Sequence, residues 1–179
     1  MNMFGKRSYP FYKFGDMLFL ERIPIAYWYE YVQKRFEETG KHIDARFVDD
    51  IYAYVDGNSS YVQQLSWLVW ARTENNVYEE ILVDAKQELL HQNHALFMEQ
   101  INSLTFYQLR FVHAIADGKA AEINRKETIE EYELGSSANI ATIKKALQKK
   151  ELVDIEGKEI HFSDPIFIHW LRQNTHLFL

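Results

Sequence analysis

Leu134-Gly135-Ser136-Ser137-Ala138-Asn139-Ile140 opens the stretch that decides the fold. Gly135 supplies a tight turn, Ser137 is the expected helix cap, and a helix is predicted from about Ala138 to Lys149. At about 100° per residue, Ile140, Ile143 and Leu147 share one narrow stripe that must face a core. Ala138, Thr142, Lys145 and Lys149 fall on the opposite side, with Asn139 and Ala146 flanking it. Lys144 lies near the stripe and is expected to snorkel along it. The next segment, Val153-Asp154-Ile155-Glu156-Gly157-Lys158-Glu159-Ile160-His161-Phe162, alternates apolar and polar residues on both sides of Gly157-Lys158. That is the pattern of a hairpin closed by a two-residue Gly-X turn.

Working outward toward the N-terminus, Thr105 with Gln108 three places on forms a capping box. Phe106, Leu109, Val112, Ile115 and Ala116 then give a helix that stops near Gly118, and a short helix follows over about Lys126–Tyr132. Helix, helix, turn, helix, hairpin is the order of a winged helix-turn-helix, here over residues 104–172. Toward the C-terminus, Asp164-Pro165 opens a last helix through Phe167, Trp170 and Leu171.

The preceding residues read as helical. Pro24 marks a start, and helices are predicted over Ala26–Thr39, Asp44–Val55, Ser60–Arg72 and Asn76–Asn102. The third carries Val62, Leu65, Trp67, Leu68, Val69 and Trp70, is apolar round much of its girth, and is expected to be buried, with both tryptophans in the core. In the fourth, Val77, Ile81, Ala85, Leu89, Leu96 and Ile101 lie in rough helical phase. The aromatic cluster Tyr27-Trp28-Tyr29-Tyr31 reads as core and interface. Residues 11–23 read as one extended segment, with Met17–Leu20 the best strand within it. The expected fold class is therefore mainly α. Residues 1–24 are an arm or the tail of another domain, 25–103 a helical lid-like domain with a long connecting helix, and 104–179 a winged helix domain with a small β-hairpin wing.

Hydrophobic residues make up 47% of the 179, enough for a packed core. There is no cysteine, which removes disulfides and thiolate metal sites and fits a reducing, cytoplasmic setting. No apolar run approaches the ~20 residues of a membrane helix. The net charge of −6 argues against a general polyanion binder. Residues 104–172 hold ten basic and eleven acidic residues, a net charge of −1, so the C-terminal module is only relatively basic. Its acids include Glu127, Glu130, Glu131 and Glu133.

No phosphate loop, no G-x-S-x-G and no H-E-x-x-H occurs, so no catalytic residue is assigned and the chain is not expected to be an enzyme. His91 and His94 are three apart on one helix, too few ligands for a metal site. Asp49 and Asp50, adjacent on a helix, point apart into solvent. His161 and His169 are expected at the surface or its boundary. The candidate nucleic-acid-binding residues are Ser137, Thr142, Lys145 and Lys149 on the third helix of the module and Lys158 at the wing tip, placed to reach a major groove or its phosphates.

Longer stretches resemble the C-terminal portion of prokaryotic AAA+ ATPases of the archaeal-type, STAND-like group. The resemblance rests on Arg7-Ser8-Tyr9-Pro10-Phe11-Tyr12-Lys13-Phe14-Gly15-Asp16, Leu20-Glu21-Arg22-Ile23-Pro24 and Gly57-Asn58-Ser59-Ser60-Tyr61-Val62-Gln63-Gln64-Leu65. It continues in Leu68-Val69-Trp70, Gly135-Ser136-Ser137-Ala138-Asn139-Ile140, Leu147-Gln148-Lys149-Lys150-Glu151-Leu152-Val153 and Asp164-Pro165-Ile166-Phe167-Ile168-His169-Trp170-Leu171. It implies that residues 11–23 are the tail of an ATPase core and residues 25–102 a lid with its connecting helix. It also implies that Gly57, Asn58 and Ser59 lie near a nucleotide, although Ser59 stands where the family's Gly-x-Pro motif has proline. ATP and magnesium would belong to a full-length parent, and no cofactor is expected in this chain. Three functions stay open. One is a non-catalytic regulatory part coupling nucleotide state to a DNA or protein target. Another is a free-standing regulator that binds duplex DNA. The third is a protein-interaction module, with the N-terminal arm driving homodimerisation.

Overall fold

The computed structural model describes residues 22–157 and 159–178. The strand expected within residues 11–23 falls almost wholly outside these, as does Lys158. Among the described residues the protein is mainly α, with eight α-helices and one two-stranded hairpin.

The C-terminal module follows the order expected from its sequence. Helix α5 (Phe106–Ala116) starts where the Thr105 amide donates to Gln108 Oε1 at 3.2 Å and stops before Gly118, whose φ is +80°. A single 3-10 turn, Ala120–Glu122, leads to the short α6 (Lys126–Glu131). Gly135 then turns the chain in the left-handed region at φ +82°. Helix α7 (Ser137–Lys149) follows, and Ile140, Ile143 and Leu147 are buried, as their spacing requires. Its cap is Ser136 rather than Ser137. Ser136 has the extended backbone (φ −112°, ψ 162°) of a residue just outside the helix, and its Oγ accepts from the Asn139 amide. Ser137 is already helical. Strands β1 (Val153–Glu156) and β2 (Glu159–Phe162) pair antiparallel with Glu156 opposite Glu159, which leaves a two-residue connection. Gly157 supplies its positive φ of 62°. Val153 and Ile160 are buried beneath the wing.

The N-terminal half packs α1 (Ile25–Glu37) on α2 (Ala45–Tyr54), α2 on α3 (Ser59–Arg72) and α3 on α4 (Glu79–Asn102). The start of α4 differs from the expectation of Asn76. Residues 75–77 run extended because His42 bridges them, its amide donating to Asn75 O and its carbonyl accepting from Val77. The side of α4 that is buried also turns along its length. Leu82, Ala85 and Leu89 lie in one arc, whereas Leu90, Phe97 and Ile101 lie about 100° round from it. The first arc serves α3 and the second serves the C-terminal module, which is why Leu96, in phase with the first, is half exposed.

Helix α3 brings a second correction. Val62, Leu65, Ser66, Leu68 and Val69 form its buried side, and Trp67 falls opposite them at 58% exposure. Trp70 is only partly buried. Phe106, expected on the inner face of α5, is likewise exposed at the first turn, its ring edge-on to Tyr107.

The last helix, α8 (Phe167–Gln173), joins the two halves. Phe97 of α4 meets the rings of Phe167 at 5.0 Å and Trp170 at 5.5 Å, and the Trp170 indole N–H donates to His94 Nδ1 at 3.1 Å. His169 stacks on Tyr54 at 4.0 Å and donates from Nε2 to the Tyr54 carbonyl at 2.9 Å. Tyr61 of α3 donates to Asp164 Oδ2 at 2.7 Å. The buried side chains of both halves form one continuous core. Among the described residues no helix is long and apolar enough to cross a membrane.

Candidate nucleic-acid interface

Helix α7 is held from one side only. Its apolar stripe packs on α5 and β1. The outer face carries Ser137, Ala138, Ala141, Thr142, Lys145, Gln148 and Lys149, all exposed. Lys144 is half-buried at the edge of the stripe, as a snorkelling side chain would be. Four of the five candidate residues, Ser137, Thr142, Lys145 and Lys149, thus share one solvent face on one helix. The fifth, Lys158, lies outside the described residues. At the N-terminal end Asn139 fixes the turn, its Nδ2 donating to Leu134 O at 2.9 Å. At the C-terminal end Lys150 Nζ donates to Ser103 O at 2.9 Å and Oγ at 3.2 Å, which ties the helix back to the end of α4.

The electrostatics of this face differ from the module average. Helix α7 contains three lysines and no acid. Neither Lys145 nor Lys149 makes an ion pair among the described residues. The acids nearby are largely matched by their own neighbours: Glu122 by Arg125 at 2.9 Å, Glu130 by Lys126 at 3.6 Å and Glu133 by Arg110 at 3.2 Å. Such exposed pairs contribute little stability, about 0–1 kcal/mol each, but they cancel local field. The wing is less favourable to a polyanion, with Asp154, Glu156 and Glu159 all exposed.

Gly57, Asn58 and Ser59 are not brought to this face, since α3 packs on α2 and α4. Their local tasks are plain. Gly57 has φ +65°, and a Cβ there would sit 2.7 Å from the Tyr52 ring. Asn58 caps α3, its Oδ1 accepting from the amides of Ser60 and Tyr61 at 3.1 and 3.3 Å. His91 and His94 line a small cavity of about 220 Å³, with His94 Nδ1 engaged by Trp170. Among the described residues no three metal-ligating side chains converge. Asp49 accepts a hydrogen bond from the Tyr29 hydroxyl.

One feature escaped sequence reasoning. Between α1 and α3 lies a groove of about 710 Å³, walled by Tyr31, Val32, Phe36, Trp67 and Trp70. The signal for it was the girth of α3: a helix apolar on all sides, on a chain this small, leaves one side without a partner from its own fold.

With this geometry in hand, comparison with known proteins adds one finding. No curated protein and no solved structure matches the chain. Residues 95–173 match a family described as "Probable winged helix domain", a span that begins inside α4 and ends with α8. The C-terminal module, with its α5-α6-α7 helices and antiparallel wing, is therefore a winged helix domain.

Proposed function

We propose that the protein is a non-catalytic regulatory unit that binds duplex DNA through the outer face of α7. The observation that carries this reading is the pair Lys145 and Lys149, unpaired on an acid-free helix whose other side is anchored in the core. Ser137 and Thr142 add short hydrogen-bonding side chains on the same face, suited to phosphate or base edges. The module's net charge near zero limits affinity, so binding is expected at low salt and weakens steeply as salt rises. The test is fluorescence anisotropy with a mixed-sequence duplex at low ionic strength. Lys145→Glu/Lys149→Glu is expected to weaken binding at least about tenfold, equivalent to 1.4 kcal/mol. Unchanged affinity overturns the proposal.

The likeness to AAA+ ATPases supports a further role for the N-terminal half. In that reading α1–α4 form a lid that meets an ATPase core carrying ATP and magnesium, and α8 transmits its position to the winged helix. The joint made by Phe97, Trp170, His169 and Tyr54 suits such coupling, because it is packed rather than hinged. The chain itself is expected to hydrolyse no ATP. A steady ATPase rate that co-purifies with the protein through orthogonal columns contradicts this.

A further inference from the structure

The groove between α1 and α3 is longer than its main chamber. A second chamber of about 470 Å³, lined by Ile23, Tyr27, Trp28 and Lys34, adjoins it and shares Tyr31, Arg35 and Gln63 with it. Together they run along α1 from its first turn to its last. Tyr27 is 66% exposed, Trp67 58% and Tyr31 44%, an aromatic strip that a folded domain does not leave bare without a partner. Two buried polar atoms in its walls, Trp28 Nε1 and Ser66 Oγ, have no hydrogen-bond partner.

We propose that residues 11–21 of the same chain, Phe-Tyr-Lys-Phe-Gly-Asp-Met-Leu-Phe-Leu-Glu, occupy this groove. The first argument is where the described chain begins. Ile23 itself lines the second chamber, and its carbonyl accepts from Tyr52 Oη at 3.2 Å, while Arg22 pairs with Asp56 at 2.6 Å. The preceding residues therefore leave from the mouth of the groove. The second is composition. Phe11, Tyr12, Phe14, Met17, Leu18, Phe19 and Leu20 are apolar or aromatic, so the segment needs cover as much as the groove does. The third is reach. Eleven residues at about 3.3 Å each span roughly 36 Å, against about 20 Å for the axis of α1. The fourth is tethering, which holds the segment at an effective concentration on the order of millimolar, so that even a loose fit outcompetes a free partner. The backbone of an extended segment would also bring carbonyls within range of the orphaned donors.

Because the chain has no cysteine, two introduced cysteines report cleanly. Lys13→Cys and Glu37→Cys, both spin-labelled, place one label on the segment and one beside the end of the groove. Pulsed dipolar spectroscopy on the full chain, diluted with excess unlabelled protein, is expected to show one narrow distance. Tyr31→Ala/Trp67→Ala on the groove side is expected to broaden it at least about threefold, toward the roughly 15–20 Å spread of a free tether. Phe14→Ser/Phe19→Ser on the segment side is expected to do the same. A broad distribution in the parent chain overturns the proposal. So does a narrow distance that survives either pair of substitutions, because the segment is then held elsewhere. A dipolar signal lost on dilution with unlabelled protein also overturns it, since the groove is then filled by a second copy.

Discussion

Helices α7 and α3 make a useful pair. Both are amphipathic enough to be found from sequence, and each anchors its half of the molecule. Helix α7 has a stripe of three buried residues and a polar remainder, so its inner and outer sides are unambiguous. Helix α3 buries Val62, Leu65, Leu68 and Val69 but also carries Trp67 on the far side. Periodicity identifies the buried side of a helix only when the other side is polar. Where both sides are apolar, the sequence shows that two surfaces want cover and not which one the fold supplies.

The largest effect that can break this comparison is on α4, which changes its buried side midway. Phe97→Ala removes a fully buried ring at the junction with α8 and is expected to cost about 3–5 kcal/mol in chemical denaturation. Its neighbour Leu96→Ala, half exposed, is expected to stay within about 0.5 kcal/mol. Equal losses at the two positions would mean that the stripe does not turn. Next comes the entry to α7. Gly135→Ala is expected to cost about 1–2 kcal/mol, since an alanine is strained at φ +82° and its Cβ would lie 3.2 Å from Asn139 Nδ2. Ser136→Ala is expected to cost about 1 kcal/mol through loss of the cap, and Ser137→Ala only a few tenths. The reverse order would restore Ser137 as the cap.

The smallest effect is at the joint between the halves. Burial pushes the His169 imidazole below its ordinary value of 6.5, against the Tyr54 carbonyl, which favours the protonated ring. The unfolded chain therefore takes up a proton at a higher pH than the folded one. Stability from this group is intact above about pH 6.5 and falls as pH is lowered through that value toward the folded one. Replacing His169 with Gln is expected to flatten that part of the stability–pH curve, read as melting temperature from pH 8 to 5.

The winged helix was legible because its punctuation is strong. Gly118, Gly135 and Gly157 all take positive φ where the sequence asked for stops and turns, and Ile140, Ile143 and Leu147 are spaced for a single face. The cap slipped by one residue because Ser136 and Ser137 are chemically equivalent, and only the backbone decides between them. The first half was legible as helices but not as surfaces. The delayed start of α4 depends on His42, more than thirty residues away in the chain, and the exposure of Trp67 depends on what α1 leaves open. Of the candidate interface, the face on α7 could be read from its lysines. The pairing that neutralises Glu122, Glu130 and Glu133 beside it could not, because it is set by tertiary neighbours as well as by helical spacing.

The most direct test of the account is a map of where duplex DNA touches the molecule. Backbone amide resonances followed through a titration at low salt are expected to shift along α7, at Ser137, Thr142, Lys145 and Lys149, while α1 and α3 stay still. Shifts confined to Tyr31, Gln63 and Trp67, with α7 unmoved, would contradict it.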